Sequence, residues 1–187
     1  MGSHQIIQEC INKTKVNIER SLKTFLYLSE KQLNWKPASD VWSVGECISH
    51  LVNSNGLYFD KIEKILNSVP VSNEKDFPYQ QSFVGKMIAK GVDPANVRKS
   101  KTFKVFFPDE SEIGKSIINE YVTSSEKFIE LVNRLRHLNL KKIKLSSPAN
   151  KLLRMNLGDP LIIIPLHDER HLNQAERVMN HKDFPKS

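Results

Sequence analysis

Little in this chain marks it as anything but a globular protein. Two cysteines in 187 residues, Cys10 and Cys47, cannot build a disulfide framework, so a reduced, cytoplasmic setting is expected. No apolar run approaches the roughly 20 residues that cross a bilayer. The longest, Leu161-Ile162-Ile163-Ile164-Pro165-Leu166, is far too short, so no membrane association is expected. No basic and then apolar leader opens the sequence, and Met1-Gly2-Ser3-His4 reads as a tag remnant, which leaves His4 without functional weight. Strand signals are scarce. Only Thr102 to Phe107 alternates in part, and one strand makes no sheet. Acidic residues are also in deficit, 21 against 28 Lys and Arg, which gives a net charge of +7. The excess is dispersed. Its densest cluster, Lys141-Lys142-Ile143-Lys144, is short and has no interleaved aromatics, so a solvated basic face is expected and nucleic-acid binding is not.

What is present is helical periodicity. Ile7, Ile11, Thr14, Ile18, Leu22, Phe25 and Leu26 step by three and four, which predicts a first helix over 5–32. Ser43 with Glu46 forms a capping-box signature for a second helix through His50, Leu51, Leu57, Phe59, Ile62 and Leu66, ending before Pro70. From Val69 to Pro108 proline and glycine break the pattern, with one short helix expected near Ser82 to Lys90. A third helix is predicted from Asp109, with Glu112 at its capping-box position, and a polar basic linker over 139–150 follows it. A fourth starts with Asp159 as cap and Pro160 at its first position, carries Pro165 inside, and ends near Asn180. The fold expected is all-α: a single domain over 1–187, a four-helix bundle with a long crossover connection between helices 2 and 3. Such bundles can place metal ligands on facing helices.

The chemistry concentrates in His167-Asp168-Glu169-Arg170-His171. Residues four apart share a helix face, so both imidazoles can reach one ion. His50 is the third candidate, and three imidazoles leave an open position on a divalent metal, as catalytic sites do. The alternative is a pair of solvated or core histidines. The motif departs from the zincin His-Glu-x-x-His, because the second position is Asp168 and not glutamate, and a zincin reading is rejected. Asp168, Glu169 and Gln174 are the catalytic candidates. Asp168 or Glu169 is placed to orient a ligand histidine, although Asp168 and Arg170 fit a solvated face better. Gln174 could bond a ligand or a neighbouring helix. Cys47 shares the face of His50 and reads as a small buried hydrophobe more than as a ligand. Trp35 and Trp42 are candidates for the pocket mouth, with core packing preferred for Trp42. His137 and His181 sit at helix ends and carry less weight.

Leu33-Asn34-Trp35-Lys36-Pro37 followed by Val41 to Leu51, and His167 to Ala175 with histidine, three residues, histidine, two residues, glutamine, resemble the second- and fourth-helix signatures of the DinB/YfiT-like superfamily. The resemblance spans nearly the whole chain. It implies a four-helix bundle with unusual crossover topology and a divalent ion, most often nickel or zinc, on His50, His167 and His171. Relatives with assigned activities include thiol-dependent S-transferases that use bacillithiol or mycothiol. The expectation is therefore a metal-dependent transferase or hydrolase acting on a small electrophile, with a low-molecular-weight thiol as co-substrate. The alternative is a non-catalytic metal-stabilised or ligand-binding bundle. A homodimer is compatible with either. Fold alone does not fix the chemistry.

Overall fold

The computed structural model describes residues 1–96, 106–107 and 112–186. Six helices and one hairpin follow in the order α1 (Ser3–Phe25), α2 (Glu30–Asn34), α3 (Val44–Ser68), α4 (Phe83–Val92), α5 (Ile117–Asn133), β1 (Lys144–Ser146), β2 (Arg154–Asn156) and α6 (Pro160–Met179). The long helices α1, α3, α5 and α6 form the all-α bundle. α1 and α3 each pack against both α5 and α6, so α1 and α3 stand diagonally opposed, as do α5 and α6. The crossover between α3 and α5 carries α4, which packs on α6. No helix of the described residues is long and apolar enough to cross a membrane.

Two apolar clusters fill the bundle. One is built on Ile7, Ile62, Phe128 and Ile164, with Phe59 and Phe128 stacked at 5.0 Å between ring centroids. The other, on Phe25, Ile48, Leu51, Tyr121 and Leu172, also takes in Cys47. These residues recur every three or four positions along their helices, and burying such stripes drives the assembly.

Several boundaries differ from the periodicity reading. The first helix ends at Phe25, and a second capping box opens α2: Gln32 N–H donates to Ser29 Oγ while Ser29 N–H donates to Gln32 Oε1. α5 starts at Ile117, later than the start expected near Asp109 with Glu112 in its capping box. The reason is Asn34, whose side chain accepts from Ile113 N–H at 2.8 Å and donates to Ile113 C=O at 2.9 Å, holding that residue outside any helix. Asp109, the expected start, lies outside the described residues, as do 102–105 of the expected extended piece; Phe106 and Phe107 are not in a strand. The basic linker instead contributes the first strand of an antiparallel hairpin that pairs Lys144 with Asn156 and Leu145 with Met155. Asp159 directly precedes α6, but its side chain makes no capping hydrogen bond there. Its carboxylate accepts from Tyr79 OH, Ser82 Oγ and Asn156 N–H, and so ties the crossover to the hairpin.

Residues 1–4, read as a tag remnant, pair with the crossover and with the chain just after α5. Ser3 N–H donates to Phe77 C=O, Tyr79 N–H donates to Met1 C=O, and the His4 ring bonds Arg136 C=O.

Candidate metal centre

α3 and α6 bring the three histidines together. Ser43 caps α3 through Glu46 N–H at 3.0 Å, and Glu46 accepts from Ser43 N–H at 2.7 Å, so the two turns that carry His50 have a fixed start. On α6 the four-residue spacing stacks His167 under His171. The ring centroids are 5.0 Å apart for His50 and His167, 4.5 Å for His50 and His171, and 4.6 Å for His167 and His171. One ring nitrogen from each lies within 4.8 Å of the other two. His50 Nε2 and His167 Nε2 are 3.2 Å apart. Two ligands of a tetrahedral ion at about 2.05 Å would stand roughly 3.3 Å apart, so this pair already has ligand spacing.

Two rings are oriented through the opposite nitrogen. His50 Nδ1–H donates to Phe106 C=O at 2.6 Å, and His171 Nδ1–H donates to Gln174 Oε1 at 3.0 Å. Each bond leaves Nε2 with its lone pair, the arrangement that fixes tautomer and ring plane in histidine metal sites. Burial lowers the basicity of all three rings, most simply for His50, which is 3% exposed. For His167 burial and the neighbouring His50 push the value down to about 3, and burial with the neighbouring His167 and His50 holds His171 well below the usual imidazole value. All three are neutral at physiological pH, as ligation requires. The donor set therefore fits a divalent metal ion.

Trp42 covers the cluster. Its ring is stacked on His171 at 5.8 Å and tilted over His50 at 4.8 Å, with Phe107 at its edge. Trp35 packs instead against His181 and Phe184, and not against His50, His167 or His171. Cys47 is fully buried in apolar surroundings that raise its thiol, and it is outside the cluster.

The residues between the two histidines correct the expected solvated face. Asp168 is 1% exposed and accepts from Asn55 Nδ2 at 2.9 Å and Tyr121 OH at 3.1 Å. Arg170 donates to the backbone carbonyls of Asp93 and Asn96, fastening α6 to the end of α4. Among the described residues, neither Asp168 nor the half-buried Glu169 bonds a site imidazole; Gln174 does. The Phe106 carbonyl was invisible to sequence reasoning, since a backbone acceptor carries no residue signature. The burial of Asp168 did have a signal. Leu161, Pro165, Asp168, Leu172 and Ala175 form one stripe at helical spacing.

Searches against curated proteins and against solved structures gave no match. The comparison with protein families matches residues 14–175, a span that includes all three histidines. With a helical bundle, the crossover and the clustered imidazoles in place, the chain belongs to the DinB superfamily.

Proposed function

We propose that this chain is a metal-dependent enzyme, a thiol-dependent S-transferase or hydrolase acting on a small electrophilic molecule, built as one DinB-like domain over 1–187. The observation that carries the reading is the convergence of three neutral imidazoles from α3 and α6, two of them aimed by hydrogen bonds at Nδ1. A nickel or zinc ion on His50, His167 and His171 would act as a Lewis acid that eases deprotonation of a bound water or thiol. The protein's own groups do the positioning. The Phe106 carbonyl and Gln174 hold two ligand rings, Trp42 packs on two of the rings, and Asp168 locks α6 against α3 and α5 through Asn55 and Tyr121. Of the three catalytic candidates, Gln174 is supported as a positioning residue. In this reading Asp168 is structural, because both of its oxygens are engaged away from the histidines.

A second reading, a metal clip without turnover, is favoured by the 3% exposure of His50 and by Trp42 lying over two of the rings. Elemental analysis of the wild type, His50→Ala and His171→Ala tests the centre itself. About one ion per chain, lost in both variants, is expected; no metal after reconstitution, or metal retained in both variants, removes the basis for either reading. Loss of a low-molecular-weight thiol in the presence of a small electrophile then separates enzyme from clip. Turnover that depends on the histidines supports the enzyme, and a metallated but inert protein supports the clip.

A further inference from the structure

The short basic cluster Lys141-Lys142-Ile143-Lys144, expected as a solvated face, borders a cleft. The cleft has a volume of about 600 Å³ and is lined by Lys141, Lys142 and Lys144 together with amides, one serine and one proline, and no carboxylate. It lies beside the hairpin and the start of α6. His167 is about 10 Å further along that helix at ~1.5 Å per residue, and the cleft shares no residue with the histidine cluster. The turn that presents the lysines is fixed by Asn139, whose Oδ1 accepts from the N–H groups of Lys141 and Lys142 at 3.2 and 3.1 Å. Lys144 donates to Asn156 across the hairpin. None of the three lysines forms an ion pair among the described residues. The carboxylate of Asp159, reached through Ser82 and Asn156, is already engaged by Tyr79, Ser82 and the Asn156 N–H, and its side chain is fully buried.

A second observation points to a ligand. Gln81 is one of the lining residues, and its buried Nε2 is, among the described residues, the one buried side-chain nitrogen or oxygen without a hydrogen-bond partner. Buried amide donors are nearly always satisfied, and a rotation of the Gln81 amide toward the cleft would let an acceptor bound beside the three ammonium groups satisfy this one. We propose that the cleft binds a small phosphorylated molecule, with its phosphate oxygens taken by Lys141, Lys142, Lys144 and the Gln81 amide. Ammonium groups are point charges suited to phosphate, whereas a carboxylate ligand would favour the planar fork of arginine. No aromatic side chain lines the cleft to stack a base, and the cationic groups are confined to one concavity instead of running along a face. Both features favour a small ligand over a nucleic acid.

Calorimetric titration with pyrophosphate tests this on the wild type, Lys141→Gln/Lys142→Gln, Gln81→Leu and His171→Ala, with a single-stranded oligonucleotide as a separate probe. The expected result is one saturable site in the wild type, unchanged in His171→Ala. Affinity should fall about tenfold or more in the double lysine variant and measurably in Gln81→Leu, whose melting temperature should be no lower than wild type. Absence of saturable pyrophosphate binding overturns the proposal. So does binding that survives both cleft variants, which would place the anion elsewhere, a metal at the histidines included. Oligonucleotide binding with the same lysine dependence but no pyrophosphate binding also overturns it, in favour of a nucleic-acid face.

Discussion

His167 and Asp168 are adjacent on α6, and burial drives both toward their uncharged forms: the imidazole down to about 3 and the carboxyl up to about 7. Their effects on stability run in opposite directions. The unfolded carboxyl loses its proton near 3.8, while the folded one keeps it to about 7, so Asp168 lowers stability as pH rises across that interval. The histidines, depressed from 6.5, lower stability as pH falls below it. We expect Asp168→Asn to match the wild type near pH 4 and to be more stable near pH 8 by on the order of a few kcal/mol. Urea unfolding at both pH values checks this; parallel curves for the two proteins would contradict a raised carboxyl. Gln174→Ala should weaken metal affinity about 10- to 100-fold, as loss of an orienting partner does, with competition against a chromophoric chelator as the measurement. At this scale the sequence was informative about spacing and silent about partners. The His167, His171 and Gln174 intervals follow from helix geometry alone. Whether Asp168 faces solvent or core depended on which stripe of α6 is buried, and the four-residue histidine face drew the eye from the apolar one.

Among the elements, α3 was the most legible, because Ser43, Glu46 and the apolar steps agree and the helix duly runs from Val44 to Ser68. Ser43→Ala should cost about 1 kcal/mol, within the 0.5–2 kcal/mol range for lost N-caps. It should also loosen metal binding, because His50 lies in the second turn after the cap. A lower urea midpoint with an unchanged m-value is the expected readout, and an unaltered midpoint would mean that Glu46 and its 2.9 Å ion pair with Lys36 hold the end alone. The elements misread were those set by remote groups or by very short signals. Ser29 and Gln32 spell a second capping box inside a stretch that otherwise reads as one helix. The start of α5 is decided by Asn34, far away in sequence. Strands of three residues, such as Lys144–Ser146, are too brief for alternation to register.

For the whole molecule, the candidate centre joins α3 to α6, neighbours in the bundle whose ligands His50 and His167 are 117 positions apart in the chain. An ion bound there and not in the unfolded chain stabilises by about 2.7 kcal/mol at 100 times its dissociation constant. Adding nickel or zinc should therefore raise the wild-type melting temperature and leave that of His50→Ala unmoved; an equal shift in both would place the ion elsewhere. The two halves of the centre differ in how they can be damaged. His171 is steered by a side chain, Gln174, and one codon change removes it. His50 is steered by the peptide oxygen of Phe106, which every amino acid at that position supplies. Point substitution at 106 thus spares the acceptor, and the crossover threatens this half of the centre chiefly through insertions or deletions that slide residue 106 along the chain's path.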